Sequence, residues 1–192
     1  MKSRLNSIPL ISTWCLMLCL ISADRPTPAQ STFQAELPLA VTSCGQSPDA
    51  FTVSILLKRL KVEHTFQNTL KPEGLKSLKT LVVVMGGSAK GLGEAGIDEK
   101  GEVERVSGLL AKARELKIKI LAVHIGGESR KGPLSDKFIL PVVSRADYVL
   151  VTEDGNKDGF FTRLTQDKKI PLEVVKQTRE VGQRIQALVT TR

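Results

Sequence analysis

Aromatic side chains are scarce in this sequence, which has one Trp, one Tyr and six Phe among its 192 residues. Proteins that bind single-stranded nucleic acid place aromatic side chains among basic ones, so that bases stack while the backbone is neutralised. Here the 28 Lys and Arg residues are scattered among 20 acidic residues, without interleaved aromatics. The net charge of +8 therefore indicates a solvated basic surface, and we predict no nucleic-acid partner.

Histidine is scarcer still. The two histidines, His64 and His124, lie far apart in the chain, so zinc lacks a cluster of ligands. The segment from Glu153 to Gly159 resembles a calcium loop, but Lys157 occupies a ligand position and the acidic residue at the twelfth position is missing. We predict no metal site, and the sequence specifies neither a cofactor nor an oligomeric state.

A basic start and a short apolar run open the chain. Lys2 and Arg4 precede an apolar run of 14 residues from Ile8 to Ile21. A spanning helix needs roughly 20 apolar residues, so residues 1–29 are predicted to be a signal peptide with its cleavage region, cut after Ala23 or Ala29. An uncleaved anchor is the alternative. We expect an exported protein, periplasmic or secreted, that meets the membrane only transiently through this peptide.

Cleavage would leave a short polar linker, residues 30–36, and a single domain, residues 37–192. Two of the three cysteines, Cys15 and Cys19, lie in the leader. Cys44 would then stand alone in an oxidising compartment, and the mature chain would form no internal disulfide.

Apolar runs alternate with segments of helical periodicity in this domain. The predicted strands are Leu37 to Ser43, Val62 to Phe66, Thr80 to Met85, Lys119 to His124 and Tyr148 to Thr152, with Leu172 to Val175 as a short further segment. Alternating strands and helices predict an α/β fold: a three-layer, doubly wound parallel sheet of about five strands, flavodoxin-like or Rossmann-like, in the order 2-1-3-4-5.

Two helices have clear start signals. Ser47 is predicted to cap a helix whose first turn holds Pro48 and Asp49. The inward face predicted for this helix is Phe51, Ile55, Leu56 and Leu60. Asp98 is predicted to cap a helix from about Glu99 to Leu116, with inward residues Val103, Val106, Leu110 and Ala113. The acidic residues at its start are interpreted as complementing the helix dipole: Glu99, Glu102 and Glu104.

Gly87 to Gly93 matches the GxxxGxG spacing of short-chain dehydrogenases, but in the wrong context. The motif follows the third strand rather than the first, and no Tyr-x-x-x-Lys pair follows it. We therefore interpret this stretch as a long glycine-rich loop folded over a site, whose backbone turns close to a ligand. A glycine-rich loop without a ligand is the alternative.

Four unusual loops follow predicted strands and should meet at one edge of the sheet. In an open α/β sheet the connections after the first and third strands diverge and leave a crevice for a ligand. The predicted ligand-binding residues, grouped by loop, are Ser43, Cys44, Gly45, Gln46 and Ser47; Gly86, Gly87, Ser88, Lys90 and Gly91; Gly126, Gly127, Glu128 and Arg130; and Asp154. Lys90 and Arg130 favour a small anionic or polar ligand, whereas Asp49 opposes a doubly charged phosphate.

The alternative function is a hydrolase or transferase with Cys44 or Ser43 as its nucleophile. Cys44 precedes a helix N-terminus, which lowers the pKa of a thiol, and His124 ends a strand where a base could stand. A buried Cys44 and a structural His124 are the competing interpretations. A structural or partner-binding module is a third possible function.

The four loops also carry a resemblance. The segments TSCGQSPDA from Thr42, GGSAKGLGEAGID from Gly86, HIGGESRKGPLSDKF from His124 and EDGNKDGFF from Glu153 resemble an uncharacterised family of exported bacterial α/β domains, a domain of unknown function. The resemblance implies a flavodoxin-like or Rossmann-like fold and no particular activity. The flavodoxin comparison stops at the fold, because the chain offers few aromatics to flank a flavin ring.

Overall fold

The computed structural model describes residues 33–189. The predicted signal peptide and the first residues of the linker lie outside this range. Within residues 33–189, no helix is both long enough and apolar enough to cross a bilayer.

Six parallel strands form one sheet in the order 2-1-3-4-5-6. The strands are β1 (Leu39–Cys44), β2 (Thr65–Phe66), β3 (Thr80–Met85), β4 (Lys119–His124), β5 (Tyr148–Thr152) and β6 (Leu172–Val175). The predicted order is confirmed, and β6 adds a sixth strand at the edge beside β5. Every residue of β1, β3 and β5 is buried, as expected for parallel strands that are covered on both faces.

Helices cover both faces of this sheet and complete the three layers. They are α1 (Asp49–Arg59), α2 (Ala89–Glu94), α3 (Glu99–Glu115), α4 (Pro133–Val143), α5 (Phe160–Gln166) and α6 (Thr178–Leu188). One apolar core joins α3, α4 and α5 to the sheet, and a second joins α1 and α6 to its other face. The predicted α/β class is confirmed.

Helix α3 begins as predicted, but one of its acidic residues lies in the core. The Asp98 side chain accepts a hydrogen bond from the Gly101 backbone N–H at 2.7 Å, which caps the helix. The buried residues are Glu102, Val106, Leu109, Leu110 and Ala113, and Val103 is only half-buried. Glu102 thus stands in the first turn, as the helix dipole favours, but its carboxylate is buried in the core.

Helix α1 buries a different face from the predicted one. Its buried residues are Ala50, Val53 and Leu57, whereas Phe51 is 57% exposed. The small Ala50 lets the helix start lie close to the sheet, which turns Phe51 outward. Leu56 and Leu60 pack against α6, where a Cβ on Gly182 would lie 2.9 Å from Leu56 Cβ. The residue capping α1 is Pro48 rather than Ser47.

The predicted long loop after β3 contains a helix. The Ser88 hydroxyl accepts a hydrogen bond from the Gly91 N–H at 3.1 Å and so caps α2, which runs from Ala89 to Glu94. Three local features favour this helix. Ser88 caps it in an extended conformation, Ala89 is its first residue, and Leu92 is buried. Of the glycines in this helix, Gly91 serves close packing, whereas a Cβ on Gly93 would meet nothing within 4 Å.

Candidate functional site

A pocket of about 640 Å³ lies at the carboxyl ends of the strands, where β2 and β3 flank β1. It is bounded by the loop after β1, the start of α1, the exit from β2, helix α2 and the loop after β4. This is the point of the sheet at which the strand order reverses, and open α/β sheets bind ligands there. The predicted residues that line it are Gln46, Ser47, Ser88, Lys90, Gly91 and Arg130.

A buried ion pair on α3 lies behind this pocket. Arg105 Nε lies 2.7 Å from Glu102 Oε2, and the two side chains are 7% and 0% exposed. The pair is bidentate, since Arg105 Nη2 also donates to Glu102 Oε1 at 2.8 Å. Planar Arg–carboxylate pairs of this kind combine strength with a fixed geometry. Arg105 therefore holds the Glu102 carboxylate in a single orientation toward the loop after β1.

The ion pair fixes the backbone of that loop. Glu102 Oε1 accepts hydrogen bonds from the Gly45 N–H and from Gln46 Nε2, both at 2.9 Å. The Arg105 guanidinium donates to the carbonyl oxygens of Ser43 and Leu70, both at 2.7 Å. Gln46 has a left-handed backbone, with φ of 57°, which is strained for a side-chain-bearing residue. Its contacts with Glu102 stabilise this conformation at the pocket floor.

Sequence reasoning missed this pair, although a signal was present. Glu102 stands four residues before Val106 and eight before Leu110, on the apolar stripe of α3. An acidic residue on such a stripe indicates a buried carboxylate with a dedicated partner, and Arg105 lies one helical turn away. Only the tertiary structure shows that the loop after β1 supplies the remaining donors.

Several predicted glycines let backbone and side chains approach closely. Gly45 has φ of +94°, and a Cβ there would lie 2.6 Å from both Gly86 O and Phe138 Cδ2. A Cβ on Gly91 would lie 1.9 Å from Gln46 O, so α2 rests directly on the loop after β1. Gly87 donates its N–H to Ser135 Oγ at 2.9 Å, which joins it to α4.

The loops after β4 and β5 form a second cluster of predicted residues. The Arg130 side chain packs against Gly126, where an added Cβ would lie 2.2 Å from Arg130 Cγ. The Glu128 N–H donates to Asp154 Oδ2 at 3.2 Å, and Asp154 also pairs with Lys157 at 2.7 Å. The hydrogen bond from Lys157 lowers the pKa of Asp154 below its usual value. Gly127 also packs closely against Asp154, because a Cβ added at Gly127 would lie 1.9 Å from Asp154 Oδ2. Asp154 therefore holds two loops together, and of this cluster only Arg130 lines the pocket.

The candidate nucleophiles are buried. Cys44 Sγ lies 3.4 Å from the Phe138 carbonyl oxygen, in the layer of α3 and α4 and not the layer of α1. Burial raises the pKa of the Cys44 thiol far above its usual value; the Glu102 carboxylate adds to the rise and Arg105 opposes it. Of the two interpretations of Cys44, this position favours the buried one. Ser43 Oγ is buried and has no hydrogen-bond partner within residues 33–189.

His124 links two backbone segments. Its Nδ1 lies 2.9 Å from Met85 O and its Nε2 lies 3.1 Å from Gly127 O, while the ring packs 5.1 Å from the Phe161 ring. Both ring nitrogens thus face carbonyl oxygens in a fully buried position. Of the two interpretations of His124, this geometry favours the structural one. His64, the other histidine, precedes β2 and hydrogen-bonds Ser54 Oγ at 2.8 Å.

We expect Cys44 to resist iodoacetamide in the folded protein at pH 8 and to react after denaturation in urea. Only the thiolate reacts, and a buried thiol with a raised pKa yields almost none. Mass spectrometry at fixed reagent concentration measures the modified fraction at Cys44 before and after denaturation. Rapid labelling of the native protein would contradict the buried position.

Two aromatic residues complete the pocket and were not predicted to do so. Phe51, on α1, and Phe66, at the end of β2, both line it, with ring centroids 5.8 Å apart. Asn68 and Thr69 follow Phe66 along the same wall, and Asn68 Nδ2 donates to Gln46 Oε1 at 2.8 Å. Within the described part of the chain, no three His, Cys, Asp or Glu side chains cluster as a metal site would require.

The fold and its edge pocket define an α/β domain with a pocket at the reversal point of a parallel sheet. This chain belongs to the family described as Domain of unknown function (DUF6305), whose model matches residues 36–189. The resemblance to an uncharacterised family is thereby confirmed.

No curated protein matches the sequence. One similar solved structure is the psychrotrophic esterase EstA from Pseudoalteromonas sp., inhibited by monoethylphosphonate. It has a TM-score of 0.30 and 8% sequence identity, over 81% of this chain and 93% of that one. At that level the likeness supports no inference about this chain.

Proposed function

We propose that this protein is an exported small-molecule-binding protein, and that it holds an anionic or polar ligand in the pocket beside β1. The observation that carries the proposal is that the Arg130 guanidinium lines the pocket without a paired anion in the described part of the chain. Arg130 lines the pocket, is half-buried against Gly126, and has no side-chain hydrogen bond or ion pair within residues 33–189. A half-buried cation without a partner favours a ligand that supplies the anion.

Charges in the pocket and next to it limit the charge of that ligand. Lys90 pairs with Glu94 at 3.7 Å, but both side chains are largely exposed, so this ion pair contributes little and leaves Lys90 available. Asp49 Oδ2 is buried without a hydrogen-bond partner in the described range and lies 2.6 Å from where a Gly126 Cβ would be. A singly charged carboxylate therefore suits the site better than a doubly charged phosphate.

The size of the pocket also supports a small molecule. Its volume of about 640 Å³ falls within the range of roughly 300–1,000 Å³ typical of ligand pockets. For the alternative, a hydrolase or transferase that uses Cys44 or Ser43, neither candidate nucleophile is exposed to a substrate. Cys44 and Ser43 are buried, and both nitrogens of His124 face carbonyl oxygens.

The proposal predicts that Arg130→Gln weakens the binding of carboxylates by about tenfold or more, because a charge-assisted hydrogen bond contributes roughly 1.5–3 kcal/mol. Acetate, succinate, benzoate and inorganic phosphate form the first panel. Thermal shift identifies binders, and isothermal titration calorimetry then measures each Kd.

The matched control is Arg179→Gln, an exposed arginine on α6 away from the pocket. It should leave every Kd unchanged. An anion that binds Arg130→Gln and the unmodified protein equally well would place its site elsewhere, and a panel without a binder would contradict the proposal.

A further inference from the structure

Two phenylalanines of the pocket are exposed side by side. Phe51 is 57% and Phe66 is 36% exposed, and their rings are tilted by 49° at a centroid distance of 5.8 Å. By contrast, Phe138 and Phe161 are fully buried in the core. Phe51 and Phe66 together form what we call the aromatic wall. A chain so poor in aromatics exposes two of them in one concavity, which marks that surface as a binding surface.

The aromatic wall and Arg130 lie on opposite sides of the loop after β1. Phe66 belongs to β2, on one side of β1, whereas Arg130 follows β4, two strands away on the other side. Three strand spacings separate β2 from β4, or roughly 14 Å, and the side chains of Phe66 and Arg130 narrow this gap. The pocket therefore has an apolar end at Phe66 and a cationic end at Arg130.

Polar groups line the pocket between these ends without closing it. Gln46 and Asn68 are occupied with each other and with Glu102, so they form a rigid floor rather than free ligand donors. Ser88 accepts the α2 capping bond and keeps its own O–H available to donate. The groups left to select a ligand are thus the aromatic wall, the Ser88 hydroxyl and two cations, Arg130 and the exposed Lys90.

We propose that the ligand is an aryl carboxylate, with its ring on Phe51 and Phe66 and its carboxylate on Arg130. This inference rests on the proposed function and adds the aromatic ring to it. Stacked or edge-to-face rings gain attraction beyond the burial of apolar area, which a saturated ring of equal size does not gain. The carboxylate meanwhile supplies the anion that Arg130 lacks within the described residues.

Three probes of matched length separate the two ends of the pocket. They are 3-phenylpropionate, 3-cyclohexylpropionate, which keeps the charge but loses the aromatic ring, and 3-phenylpropanol, which keeps the ring but loses the charge. By isothermal titration calorimetry we expect 3-phenylpropionate to bind about threefold to tenfold more tightly than 3-cyclohexylpropionate and at least tenfold more tightly than 3-phenylpropanol.

Variants of the aromatic wall make the same test from the protein side. Phe66→Ala should weaken 3-phenylpropionate about tenfold and leave acetate unchanged. Val174→Ala, at a somewhat more exposed apolar residue on β6, should change neither. Far-UV circular dichroism checks each fold. Should Phe66→Ala fail to fold, Phe51→Ala, with its more exposed ring, gives the same comparison.

The outcomes distinguish this inference from the proposed function. Equal binding of 3-phenylpropionate, 3-cyclohexylpropionate and acetate, all weakened by Arg130→Gln, would overturn the aromatic requirement and leave an anion-binding protein. Tighter binding of 3-phenylpropionate that Phe66→Ala does not reduce would also overturn it. No binding by any carboxylate, or binding indifferent to Arg130→Gln, would contradict the proposed function itself.

Discussion

Replacing Arg105 by Met is expected to lower the free energy of unfolding by about 3–5 kcal/mol, since it leaves the Glu102 carboxylate buried without its cation. Glu102 has no exposed side-chain surface and accepts two hydrogen bonds from Arg105 and two from the loop after β1. The substitution also strips donors from the Ser43 and Leu70 carbonyl oxygens. Urea denaturation followed by far-UV circular dichroism measures the change.

Glu102→Gln is expected to cost less than Arg105→Met. A glutamine oxygen at this position can still accept from the Gly45 N–H, and Arg105 keeps its two carbonyl partners. The double variant Glu102→Gln, Arg105→Met should then cost less than the sum of the single changes, which is the signature of a direct interaction.

Lys100→Met is the matched control for Arg105→Met. Lys100 pairs with Glu104 at 3.9 Å on the same helix, with both side chains largely exposed, and such surface pairs contribute up to about 1 kcal/mol. A cost of Arg105→Met no greater than that of Lys100→Met would show that the pair is not buried as described.

Gly45→Ala is expected to destabilise the protein by about 2–5 kcal/mol, the sum of a strained backbone and an overpacked core. Gly45 has φ of +94°, which side chains disfavour, and the new Cβ would meet Gly86 O and Phe138 Cδ2 at 2.6 Å. The carbonyl belongs to the backbone of the neighbouring strand connection, so the loop after β1 must move. Because that loop forms the pocket floor, binding of the carboxylate panel should weaken together with stability.

Gly93→Ala provides the comparison for Gly45→Ala. A Cβ on Gly93 meets nothing within 4 Å, and the residue lies in α2. Alanine favours a helix over glycine by up to about 1 kcal/mol, so this variant should equal or exceed the unmodified protein in stability. Equal midpoints of urea denaturation for Gly45→Ala and Gly93→Ala would contradict the packing around Gly45.

The strands and their order could be predicted from the sequence because the signals are local. Four strands have the bounds that their mainly apolar, β-branched segments predict: Thr80–Met85, Lys119–His124, Tyr148–Thr152 and Leu172–Val175. Asp98 is followed three residues later by a free backbone N–H at Gly101, which is the geometry of a helix cap wherever it occurs. Alternation of strands and helices then leaves few topologies, and the edge where the loops meet follows from the parallel sheet.

The content of the pocket depended on contacts between distant segments, which a periodic pattern does not specify. Helical spacing predicted that Phe51 lies on the inward face of α1. In the structure Ala50 packs against the sheet instead, and Phe51 lines the pocket. Glu102 accepts a hydrogen bond from the N–H of Gly45, which lies 57 residues earlier in the chain. Its burial therefore follows from the packing of α3 against the loop after β1. Cys44 likewise packs in the layer of α3 and α4, so burial there, and not the start of α1, dominates the pKa of its thiol. Burial and partnership are properties of the assembled layers, because they depend on which atoms of other segments surround a group.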